Sequence, residues 1–117
     1  MKKKILCFDL DNTLCLTKGN NYSKAKPKKK LIKLVNELYE SGHIIKIFTA
    51  RYMGRNNDNI YRAKKKAYKI TLKQINNWGL KYHKLMISKP SADIYIDDKG
   101  YGYNKNWGEK LKKYIKK

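Results

Sequence analysis

Apolar residues recur along this chain in two periods, short continuous runs of strand length and longer stretches at helical spacing. The first run is Ile5-Leu6-Cys7-Phe8, followed by Asp9-Leu10-Asp11-Asn12-Thr13-Leu14. It reads as a buried strand whose carboxyl end opens onto a polar loop. Residues 16–26 are polar, with Gly19-Asn20-Asn21 as a turn signal, and predict a loop acting as a short flap. Pro27 fits the first turn of a helix whose apolar stripe is Leu31, Leu34, Val35, Leu38 and Tyr39, stopped by Gly42. Ile44 to Phe48 is a second strand running into Thr49-Ala50-Arg51. Strand, helix and strand in this order make a parallel pair joined by a right-handed crossover, so both carboxyl ends face the same way.

The second half is less regular. Residues 51–59, with Gly54 and Arg55, predict another polar loop on the same edge. Ile60, Ala63, Ala67 and Tyr68 are weakly helical in spacing. A capping box at Thr71-Leu72-Lys73-Gln74 gives a cleaner start, with Gly79 as the stop. One helix or two over 60–78 are both compatible with this pattern. Leu85-Met86-Ile87 predicts a short third strand, and Asp93-Ile94-Tyr95-Ile96-Asp97-Asp98 a fourth. Only residues 89–92 separate them, too few for a helical crossover, so the link is extended and strand order there stays open. Trp107, Leu111, Tyr114 and Ile115 predict a final amphipathic helix. The fold class is α/β, a Rossmann-like, mostly parallel sheet with flanking helices, as one domain over residues 1–117.

Charge then locates the chemistry. Lys and Arg number 29 against nine Asp and Glu, a formal net charge of +20. Four of those few carboxylates, Asp9, Asp11, Asp97 and Asp98, adjoin apolar runs at predicted strand ends. Open α/β sheets bind ligands at those ends. Unpaired carboxylates are too costly to bury for structural reasons alone. Adjacent carboxylates suit a hard cation such as Mg²⁺. A carboxylate for attack, a second for proton transfer, a hydroxyl at Thr49 and an ammonium at Lys89 suit a phosphoryl group. The basic excess attracts anions, nucleic acid first among them, or is simply the solvated surface of a Lys-rich chain.

Two cysteines without metal-type spacing imply a reducing setting, with Cys7 as a small core residue. His43 and His83 border strands and read as structural. Asp9 and Asp11 interrupt the apolar run behind Lys2-Lys3-Lys4, which argues against a signal peptide, and no stretch reaches transmembrane length. A soluble, cytoplasmic protein without membrane insertion is expected.

Asp9-Leu10-Asp11-Asn12-Thr13-Leu14, Phe48-Thr49-Ala50-Arg51, Lys89-Pro90 and Ile96-Asp97-Asp98-Lys99 resemble, in order, the motifs of the haloacid dehalogenase-like (HAD) phosphohydrolases. The resemblance covers essentially the whole chain. It implies a HAD-like core and a Mg²⁺-dependent phosphomonoester hydrolase working through an aspartyl phosphate. Asp9 is then the nucleophile and Asp11 the general acid and base. Thr49 and Lys89 hold the phosphoryl oxygens. Asp97 binds Mg²⁺ with Asp9 and the Asp11 carbonyl, and Asp98 binds directly or through water. The loops at 16–26 and 51–59 are too short for a cap domain. An uncapped site implies a large substrate or a partner subunit or second copy as lid. The short link before the Ile-Asp-Asp ending resembles deoxyribonucleotidase-like members. The stretches through residues 78–83 and 95–98 are similar to phosphatases associated with capsule and surface-polysaccharide synthesis.

The expected substrate is therefore a sugar phosphate or a nucleotide, with Arg51 and Arg55 placed to grip a second phosphate or a carboxylate. The charge keeps two alternatives open: a polynucleotide end phosphatase, and a non-catalytic basic module binding nucleic acid or protein.

Overall fold

The computed structural model describes residues 2–53 and 59–116. Its centre is a three-stranded parallel sheet in the order β1 (Ile5–Phe8), β4 (Ile44–Phe48), β5 (Lys84–Met86). Between β1 and β4 the chain forms β2 (Cys15–Leu16), a 3₁₀ turn at Tyr22–Lys24, β3 (Lys26–Pro27) and helix α1 (Lys29–Glu40). Helix α2 (Ile60–Asn77) joins β4 to β5, and α3 (Trp107–Lys116) closes the described chain.

Strand β4 is central, and Ile45 and Ile47 on it are fully buried. Each contributes roughly 1.5–3 kcal/mol of apolar burial. They share a core with Phe8, Val35, Leu38, Ile75, Leu85, Trp107 and Leu111, drawn from strands and helices alike. Two helices end as their glycines foretold. Gly42 (φ 96°) and Gly79 (φ 74°) take the left-handed conformation, and the next amides, His43 and Leu80, bond back to Leu38 and Ile75.

Other elements differ from expectation. Pro27 pairs with Cys15 in the small antiparallel β2–β3 sheet, so α1 starts two residues later with Lys28 as its N-cap. This sheet ties the flap at 16–26 at both ends. Residues 60–77 are one helix, capped by Asn59, whose side chain accepts the Arg62 amide. Thr71 therefore lies mid-helix and is fully buried, and caps nothing. Strand β1 alternates, with Phe8 buried while Ile5 and Cys7 are exposed, so only one of its faces is covered. Cys7 is thus not a core residue; Cys15 is.

The expected fourth strand is absent. Residues 93–98 form no strand, with Ile94 77% and Ile96 96% exposed. Their period-two apolar pattern specifies a strand only when a sheet neighbour accepts it, and no described strand pairs with them.

Candidate functional site

The β1–β4 register runs from Ile5 opposite Ile44 to Phe8 opposite Ile47, so Asp9 and Thr49 leave the sheet on the same edge. The β4–β5 pairing continues beyond the strands, with Thr49 N donating to Met86 O and Lys89 N to Thr49 O. Lys89 is carried back across the sheet end, and its Nζ stands 3.4 Å from Asp9 Oδ1. Asp9 Oδ2 accepts a hydrogen bond from Thr13 Oγ1 at 3.0 Å. The turn at Asn12, in the left-handed region (φ 62°) that asparagine tolerates, folds Thr13 back onto Asp9. Thr49 is buried, and its Oγ1 accepts the Arg51 amide.

Asp11 is held from another direction. Arg51 Nε and Nη2 reach its carboxylate at 3.0 and 2.9 Å, and Thr17 Oγ1 donates to Oδ1 at 2.6 Å. Arg51 Nη1 is spent on Thr71 Oγ1 and Gln74 Oε1 of α2, and the Tyr22 ring covers the guanidinium at 5.1 Å. Gln74 Nε2 in turn donates to Tyr22 O in the flap. Arg51 was expected to grip substrate. It is 1% exposed, and its hydrogen bonds go to protein groups. Its role in this geometry is to fix Asp11 and to join the Asp loop, the flap and α2. Arg55 lies outside the described residues.

Asp97 and Asp98 are not brought to this cluster. Both are exposed, and Asp97 Oδ1 accepts the Lys99 amide. Among the described residues no group of three or more His, Cys, Asp or Glu side chains stands together as metal ligands. The donor set expected for Mg²⁺ therefore does not assemble in this arrangement. Thr13, Thr17, Thr71 and Gln74 are contributors that sequence reasoning missed. Thr13 and Thr17 follow Asp9 and Asp11 at spacings of four and six residues, a signal too common to single out. Thr71 and Gln74 belonged to a motif that reads equally well as a helix cap.

Desolvation pushes the thiol of buried Cys15 up, and also that of Cys7 although it lies on the uncovered face of β1; the nearby Lys89 and Lys46 partly offset the shift at Cys7. Both histidines are structural. His43 Nδ1 accepts the Lys4 amide, and His83 Nδ1 accepts the Ile45 amide while its ring stacks on Tyr39.

Comparison with known proteins supports the fold. No family model matches the chain, and no curated protein matches it. The crystal structure of an MCSG target from Vibrio cholerae is similar over 97% of this chain and 99% of its own, with a TM-score of 0.77 and 24% identity. That likeness establishes a shared α/β fold and leaves the chemistry to the residues. No described helix is long and apolar enough to cross a membrane.

Proposed function

We propose that this protein is a phosphomonoester hydrolase with a HAD-like core, acting on a small phosphorylated metabolite, a sugar phosphate or a nucleotide. The observation that carries the reading is the convergence, at the carboxyl ends of three parallel strands, of the paired Asp9 and Lys89 with Asp11 two residues on. An ammonium beside a carboxylate prepares a place for a phosphoryl group. Lys89 attracts its oxygens, worth roughly 4 kcal/mol of bare attraction at intermediate dielectric, and shields Asp9 from their charge.

In this mechanism an Asp9 oxygen attacks phosphorus, the bond to the leaving oxygen breaks with its electron pair, and Asp11, entering as the acid, gives that oxygen its proton. Water then attacks the aspartyl phosphate and gives its proton to Asp11; the bond from phosphorus to Asp9 breaks, restoring the carboxylate and releasing phosphate. Arg51 and Thr17 fix the Asp11 carboxylate by donating hydrogen bonds to it.

The test is phosphate release from sugar phosphates and nucleotides, with Mg²⁺ and with chelator, in native protein and in Asp9→Asn. Turnover lost in Asp9→Asn is the expected result. Equal turnover in that variant contradicts the reading.

A further inference from the structure

The segment between β5 and α3, together with Tyr114 of α3 itself, carries exposed tyrosines that the chemistry above does not use. Tyr95, Tyr101, Tyr103 and Tyr114 are 50, 44, 61 and 59% exposed. Two of them are tied to the strand-end site. Lys89 Nζ, which pairs with Asp9, lies 4.4 Å from the centroid of the Tyr95 ring. Tyr103 donates its hydroxyl proton to Asn12 O at 3.1 Å, a carbonyl that Lys28 Nζ also reaches at 3.3 Å. Farther along, Tyr101 packs on Tyr114 at 6.3 Å, and Lys4 Nζ stands 6.0 Å over the Tyr114 ring. Two of the exposed rings, Tyr95 and Tyr103, thus stand with an ammonium group, Lys89 or Lys28, beside the Asp9 to Asn12 turn.

We infer that this surface binds the end of a single-stranded nucleic acid, stacking its bases on Tyr95 and Tyr103 and directing its terminal phosphate to Asp9. Rings with open faces take unpaired bases of any sequence, while lysines beside them take the backbone phosphates. The occupant is chosen by complementarity: a net charge of +20 favours a polyanion, and the rings favour one with free base faces. A sugar phosphate uses the phosphate pole alone, and a duplex hides the base faces the rings would meet. The inference rests on the proposed hydrolase only for the destination of the terminal phosphate.

Fluorescence anisotropy with a labelled single strand of about ten nucleotides, a length within the span of such sites, tests it. The arms are 5′-phosphorylated, 3′-phosphorylated and unphosphorylated strands and the matching duplex, bound to native protein and to two double variants. Tyr95→Ala with Tyr103→Ala, both at exposed positions, is expected to weaken single-strand binding on the order of tenfold or more. Tyr95→Phe with Tyr103→Phe keeps the rings and is expected to keep most of the affinity, and Tyr61→Ala on α2 serves as a control for a remote exposed ring. Unchanged affinity in the alanine pair would show that charge alone binds the strand and overturns the inference. Equal affinity for duplex, or no binding, overturns it too. Phosphate release is scored separately. Ring-dependent binding without release from any substrate discards the hydrolase and leaves this surface, whereas release without strand binding does the reverse.

Discussion

Arg51 joins the Asp loop, the flap and α2 through one side chain. Its buried guanidinium is satisfied by Asp11, Thr71 and Gln74, so removing it takes the bidentate partner from Asp11 and a donor from buried Thr71 and half-buried Gln74. Arg51→Met should destabilise the fold by about 3–5 kcal/mol, the usual cost of breaking a buried pair from one side. Denaturant unfolding measures this, and a cost below about 1 kcal/mol would mean that the pair is dispensable. Replacing Asp11 as well should recover part of the loss, since the two residues then share one interaction. The sequence showed Arg51 beside a strand end but not its burial, because burial depends on α2 folding over it from twenty residues away.

His43 gives a second prediction at this scale. It is buried, Nε2 has no partner among the described residues, and burial together with Lys3 and Lys4 lowers its pKa below the ordinary value of 6.5. The unfolded chain therefore takes up the proton first on acidification. Stability is full above about pH 6.5 and falls as the pH drops below it. Thermal unfolding between pH 7 and pH 5 should show a falling Tm in native protein and a flatter profile in His43→Asn. Parallel profiles would assign the acid sensitivity to other groups.

Among elements, legibility followed burial. The pattern of β4, α1 and α3 survived into the structure because each presents an apolar face to one core. Gly42 and Gly79 ended their helices for a local reason, the left-handed backbone that glycine takes without penalty. Failures came where one pattern has two uses. Thr71-Leu72-Lys73-Gln74 is a capping box only if the chain before it is not already helical, and α2 begins at Ile60. Residues 93–98 have a strand's alternation but no described strand beside them. The contrast is measurable. Ile47→Ala in the central strand should cost about 2–5 kcal/mol, while Ile96→Ala should stay within about 0.5 kcal/mol. A large loss from Ile96→Ala would place that segment in a sheet.

For the whole molecule, three parallel strands bring to one edge groups that are distant in sequence: Asp9 and Asp11 after β1, Thr49 after β4, Lys89 after β5. That convergence was legible, because strand ends are read from apolar runs and parallel order from the crossover. The Asp97–Asp98 pair was equally legible as a motif, yet its place in space depends on an element that does not form among the described residues. In the proposed hydrolase, Asp9 itself takes the phosphoryl group. Native protein mixed with 4-nitrophenyl phosphate, quenched in acid at short times and digested, should yield a phosphorylated peptide containing Asp9. The adduct should be absent in Asp9→Asn. Rapid nitrophenol release with no adduct on that peptide, or an adduct that persists in Asp9→Asn, would contradict this role of Asp9.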